Sequence, residues 1–280
     1  MYPLSCAYLS RPVPIVLAVR LFPMRSSQVP ARFPEIDQAR GVAIIMMVVF
    51  HIAFDLYFLG IAPIPANQGL WRLLALSTAS LFLFLVGISL SISSAYAAGT
   101  LTRREFILKY VSRGGFILAL GLLITAVTWF LIPGGFIRFG ILHLIGIAVM
   151  MSPLYIRYLW PNLIVGAIII ALGPLVAGLR GNSWLLWAGI HPEGFASIDY
   201  TPLVPWFGVV LIGVFAGKLL YPGGMRRPGF SVAVPSLGPL EYLGQHSLAV
   251  YLVHQPVIIG LILFISGIMG ISPSIPFPAG

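Results

Sequence analysis

One stretch near the start of the chain holds more ionisable groups than an apolar segment tolerates without a use for them. Glu35, Asp37, Arg40, His51 and Asp55 sit in or beside a run of Val, Ile, Met, Phe and Leu. Read as a helix at about 100° per residue, the eleven steps from Arg40 to His51 return to within roughly 20° of the same face. Asp37 and Asp55 each fall about 60° from Arg40 by the same geometry. One stripe therefore carries two acids, a guanidinium and an imidazole. His51 and Asp55 are four residues apart, one turn along the helix, where side chains can meet. A carboxylate beside an imidazole fixes its tautomer and steadies the charge it gains on taking a proton, the arrangement of a general base. The plainer alternative is a His–Asp pair that only pins helix packing. Arg40, about 16 Å below His51 along the axis, has the fork geometry that grips phosphate. A helix-end anchor, or a partner for Asp37, accounts for it equally well.

Other polar groups in apolar surroundings are His143, within Gly140 to Gly146, and His254, which shares a three-to-four-residue spacing with Ser247 and Tyr251. Both are candidates to line a substrate cavity, where an imidazole can hold a substrate or a developing oxyanion. A histidine packed against a carbonyl is the alternative for each. His246 reads as structural, Arg138 as an arginine snorkelling to headgroups, and His191, Glu193 and Asp199 as a solvated loop. No metal is expected. No two of the 5 histidines stand three or four apart, there is a single Cys, and His51 with Asp55 offers only two ligands. Walker-type and GxGxxG loops are absent.

These side chains must be positioned by elements that suit the composition. Of 280 residues, 59% are hydrophobic and only 8% charged, with a mean hydropathy of +1.00. A soluble domain carries about 25% charged residues, so a water-dispersed fold is excluded and the chain is counted in membrane spans of about 20 residues. The pattern predicts an all-α, polytopic transmembrane bundle of about seven spans. They cover Asp37–Leu59, Leu70–Tyr96, Tyr110–Ile132, Phe136–Ile156, Trp160–Leu179, Leu203–Tyr221 and Leu240–Met269, the last kinked by Pro256. The segment Trp184–Ile190 is too short to span and carries two interfacial Trp. An odd number of spans does not suit a transporter built from two equal inverted halves.

The excess of 16 Lys and Arg over 7 Asp and Glu, a net charge of +9, marks topology rather than nucleic acid. Twelve cations fall in the N-terminal tail and the second, fourth and sixth loops. Three, Arg72, Arg138 and Arg180, fall in the opposite loops. That asymmetry places the N-terminus in the cytoplasm of a multi-pass protein of the cell membrane, with the C-terminus outside. Residues 1–31 read as a flexible tail without a signal peptide, with Met24 as an alternative start. Residues 32–270 form the transmembrane domain and 271–280 a short C-terminal tail. The lone Cys6 cannot form an internal disulfide.

Beyond this patterning, several strings resemble a known family. Arg40-x10-His51 is similar to the first-helix signature of acyltransferase-3 type membrane acyltransferases. The longer run Glu35-Ile-Asp-Gln-Ala-Arg-Gly-Val-Ala-Ile-Ile-Met-Met, with Phe50-His51 and Phe54-Asp55-Leu56, resembles the prokaryotic branch of the heparan-alpha-glucosaminide N-acetyltransferase catalytic domain family. So do Phe82–Gly87, Phe139–Gly146, Pro205–Gly208 and Leu243–His254. The likeness spans about residues 32 to 265 and implies transfer of an acyl group, acetyl first among them, from cytoplasmic acyl-CoA to an acceptor on the far side. A sugar or glycan is the implied acceptor, and membrane lipid the surroundings. A homo-oligomer stays open. A reactive histidine of the eukaryotic enzyme is expected in the segment after the first helix, but Gly60–Leu70 contains none, so the pattern points to His51 instead. On this account His51, supported by Asp55, is base or transient acyl carrier. Arg40, Arg103 and Arg104, with Lys109, Arg226 and Arg227 nearby, receive the phosphates, and His143 and His254 face the acceptor. Two rivals remain: a proton-coupled transporter using His51 and Asp55 as a relay, and a non-catalytic membrane scaffold.

Overall fold

The structure, a computed structural model, describes residues 32–229 and 237–274. The expectations for residues 1–31, Cys6 and Met24 among them, and for 275–280 lie outside the described residues. Eight α-helices occur within the described residues: α1 Pro34–Phe58, α2 Gly69–Ala98, α3 Arg103–Leu131, α4 Ile141–Tyr155, α5 Trp160–Ala177, α6 Leu203–Leu220, α7 Gly238–Gln245 and α8 Ser247–Met269. The described chain has no strand beyond two isolated bridges, Phe139 with Tyr200 and Arg180 with His191. The protein is all-α. Six helices, α1, α2, α3, α5, α6 and α8, are long and apolar enough to cross a membrane.

The helices begin where local chemistry permits. Pro34 at the first position starts α1 three residues before the expected boundary, because proline has no N–H to lose there. A capping box closes α3: the Thr102 hydroxyl accepts from the Glu105 N–H, and Glu105 accepts from the Thr102 N–H. That cap extends α3 two turns beyond the predicted span.

Two boundaries differ from expectation. The fourth span is shorter than Phe136–Ile156, because residues 136–140 are drawn into loop pairing: Ile198 donates to the Gly135 carbonyl and Thr201 to that of Phe139. The 15 residues of α4 reach only about 22 Å, and the folded-in loops 132–140 and 178–202 complete that end. The last span is two helices, since the backbone at His246 (φ −102°, ψ 18°) breaks the run into α7 and α8.

Helix ends sort to two sides. At one, Tyr221 and Arg226 reach Glu35 near the start of α1. At the other, Ser274 donates to the Leu59 carbonyl at the end of α1, and the loops 132–140 and 178–202 pair with each other. The first side carries Arg32, Arg103, Arg104, Arg157, Lys218, Arg226 and Arg227, and the second Arg72, Arg138 and Arg180. The cationic side is the cytoplasmic one by the positive-inside rule, and with α4 included the described residues traverse seven times.

Lipid tails are as apolar as leucine, so helices associate through close backbone approach rather than a hydrophobic force. Gly87 and Gly213 provide it between α2 and α6: a Cβ on Gly87 would strike the Val210 carbonyl, and one on Gly213 the Phe84 carbonyl. Gly114 and Gly146 do the same between α3 and α4. Leu83, Leu144, Val210 and Val214 are fully buried around these contacts. Helix α3 presents Phe116, Leu122, Leu123 and Phe130 outward, and α8 presents Val257, Leu261 and Phe264, faces suited to acyl chains.

Candidate functional site

Helix α1 carries the polar stripe, and α8 supplies its opposite wall. The His51 Nδ1 lies 2.8 Å from the Met47 carbonyl. A carbonyl only accepts, so Nδ1 carries the proton and Nε2 presents a bare lone pair. His254 repeats the arrangement, its Nδ1 donating to the Tyr251 carbonyl at 2.6 Å. The two rings stand edge to face with centroids 4.8 Å apart. His51 is half-buried and His254 is 8% exposed. The His254 Nε2 is buried without a hydrogen-bond partner, which leaves it free to accept from a donor entering the site.

The expected contact between His51 and Asp55 does not form. Helical side chains lean toward the helix N-terminus, so the His51 ring tips back onto Met47, away from Asp55 one turn further on. Asp55, 1% exposed, accepts instead from the Gln255 Nε2 at 2.8 Å through its Oδ1. Its Oδ2 and the Gln255 Oε1 are both buried and unpartnered. Histidine and carboxylate thus address neighbouring residues of α8, His254 and Gln255. Sequence patterning does not mark Gln255 as a site residue, yet an amide beside a histidine inside an apolar span is itself a signal, because polar groups at that depth are costly.

Lower on α1, Arg40 is engaged within the protein. Its Nη1 lies 3.3 Å from the Asp37 Oδ1, and its Nη2 donates to the Ser89 hydroxyl of α2. The Ser89 hydroxyl donates its own proton to the Leu85 carbonyl. The pairing of Arg40 with Asp37 is thus formed. Arg103 and Arg104 are exposed in the first turn of α3.

His143 is 4% exposed and both its ring nitrogens are occupied. The Gly140 N–H donates to its Nδ1 at 3.1 Å, and its Nε2 lies 3.3 Å from the Thr125 hydroxyl. It closes the start of α4. Asp199 assists from the outer loop, accepting from the Ile141 N–H at 3.0 Å and from the Thr201 hydroxyl at 2.9 Å. A solvated loop is the expectation for that residue, but the loop folds inward and Asp199 is half-buried. Its burial raises the carboxyl pKa above the ordinary value, against the opposing pull of those two donors.

On the outer side the Arg138 guanidinium lies between two rings, 4.8 Å from the Phe136 centroid and 5.2 Å from that of Phe195. On the cytoplasmic side a cavity of about 460 Å³ opens at the ends of α2, α3, α4 and α6, with Arg157 and Lys218 in its wall.

The fold and these polar groups define a polytopic helical membrane protein with an imidazole pair between α1 and α8. The model of the heparan-alpha-glucosaminide N-acetyltransferase catalytic family matches residues 32–256. The chain belongs to that family, which makes it a membrane transferase of the acetyltransferase type. No curated protein matches it, and no solved structure does.

Proposed function

We propose that this protein takes an acetyl group from acetyl-CoA on the cytoplasmic side and delivers it to an amine or hydroxyl of a sugar or glycan on the outer side of the cell membrane. The family's own description supplies the class of acceptor, a glucosaminide. The observation that carries the proposal is the His51 imidazole, with Nδ1 tethered to Met47 and Nε2 left as a base. In the reaction Nε2 takes the proton of the acceptor while the acceptor's nitrogen or oxygen bonds to the thioester carbonyl carbon. The C–S bond breaks, and the thiolate recovers a proton from the imidazolium. Proton transfer of this kind contributes roughly 10²- to 10⁴-fold to a rate. His254, edge-on to His51, is placed to accept from the nucleophile or to share the proton. Asp55 acts at one remove: its bond to Gln255 fixes the register of α8 against α1, and with it the placing of His254. Arg40 holds α1 to α2, and Arg103 and Arg104 add to the cationic field that draws phosphates to the cytoplasmic face.

Two facing imidazoles also suit a proton relay, the basis of the transporter alternative. Purified protein in vesicles, given radiolabelled acetyl-CoA outside and a glucosaminide inside, separates the two. The proposal expects label on the internal sugar and free CoA outside. Sugar crossing without label would favour transport.

A further inference from the structure

The cytoplasmic cavity is lined by the ends of four helices: Ser91 to Ala98 of α2, Phe106 of α3, Pro153 and Ile156 with Arg157 after α4, and Lys218 of α6. Two cations face it. Neither has a carboxylate partner among the described residues: no ion pair is formed there by Lys218 or Arg157, and Arg157 donates to the neutral Tyr158 hydroxyl.

The chain has no spare acid to neutralise them. All 7 carboxylates fall among the described residues. Glu35 is held by Arg226 and Tyr221, Asp37 by Arg40, Asp55 by Gln255 and Glu241 by Gln38. Glu105 closes the capping box, Asp199 caps α4, and Glu193 lies in the outer loop. None lines the cavity. Lys218 is half-buried, and an ammonium partly withdrawn from water gains most from an anion brought to it. Phe106, Pro153, Ile156 and Leu159 form an apolar shelf in the wall, and Tyr221, whose hydroxyl is committed to Glu35, closes it with Pro222 and Gly223.

The shape selects among anions. Every lining residue lies within about two turns of a helix's cytoplasmic end, so the cavity is a cup at the cytoplasmic rim of the bundle rather than at the depth of the acyl chains. A soluble phosphate ester with a flat apolar part suits that depth. The cup also lies away from Arg40: on α2, Ser89, which Arg40 grips, faces about 140–160° from Ser91 and Ser94.

We infer that the cup is a binding site for a soluble phosphate-bearing ligand of nucleotide type, its phosphates held by Lys218 and Arg157 and its ring lying on the shelf. Binding does not depend on the acetyl-transfer proposal. That the ligand is the nucleotide head of the donor does rest on it.

ADP binding to the whole protein in zwitterionic nanodiscs tests the site without turnover. Lys218→Gln and Arg157→Gln should each weaken it about tenfold, the loss of one charged hydrogen bond. Lys218→Arg should keep it, and Arg72→Gln on the outer side should leave it unchanged. A matching rise in the KM for acetyl-CoA at constant kcat would make the cup the donor's seat. An unchanged KM would make it a separate nucleotide site. If ADP fails to bind, or binds the two Gln variants as tightly as the parent, the inference is overturned. It is equally overturned if those variants lose only retained phosphatidylglycerol.

Discussion

At the scale of single residues, what sets His51 and His254 apart from the other three histidines is their pairing ring to ring between α1 and α8. His143 has both nitrogens bonded within the protein. His51 and His254 each have one tethered to a carbonyl and face one another. His254→Ala should therefore lower the transfer rate by at least about tenfold, whereas Thr125→Val, which removes the hydroxyl beside His143, should cost little activity. Steady-state rates at matched amounts of folded protein check both. The Asp55–Gln255 bond should be worth about 0.6–1.7 kcal/mol, the range for side-chain hydrogen bonds between membrane helices. A double-mutant cycle with Asp55→Leu and Gln255→Leu measures it by unfolding in detergent. A coupling near zero would mean the bond does not hold α8 in place.

At the scale of elements, close approach decides the packing. A Cβ on Gly87 cannot coexist with the Val210 carbonyl, so Gly87→Leu should force α2 from α6 and sharply reduce folded yield by size-exclusion chromatography. Gly115 has open space around it, so Gly115→Leu should be tolerated. Asp199→Ala should cost about 1 kcal/mol, as loss of a helix cap does, and should raise amide exchange over the first turn of α4. Most helices were legible because, in a chain so poor in charge, apolar runs of about 20 residues between polar gaps suit little besides membrane spans. The short α4 was not. Phe136 to Gly140 are apolar but for Arg138 and continue into the helix without a break in the sequence, yet pairing of Gly135 and Phe139 with the distant loop at 198–201, together with Ser197, pulls them out of it. The break at His246 was equally hidden, since Leu240 to Met269 reads as one hydrophobic run and α7 turns aside to pack Leu240 and Gly244 on α1.

The same contrast holds at the site. His51 was legible because an ionisable side chain in an apolar helix is costly. Its partner was not, because four-residue spacing says which side chains share a face and not which way each leans. Asp55 meets Gln255 across 200 positions of sequence, a contact that no local pattern encodes.

At the scale of the whole molecule, cations gather on one side of the bundle and the paired loops 132–140 and 178–202 on the other. In a Cys6→Ser background, cysteine at exposed Asn67 should react with an impermeant maleimide added to intact cells. Cysteine at exposed Thr100 should react only after permeabilisation. The reverse pattern would invert the direction of transfer. The central claim is that the free nitrogen of His51 accepts the nucleophile's proton during acetyl transfer. Its most direct test is single-turnover transfer from radiolabelled acetyl-CoA to a glucosaminide by purified protein in vesicles, parent against His51→Ala at equal folded amounts. The account predicts labelled sugar from the parent and a rate about 10²- to 10⁴-fold lower from the variant. Transfer by His51→Ala at the parent's rate would contradict it.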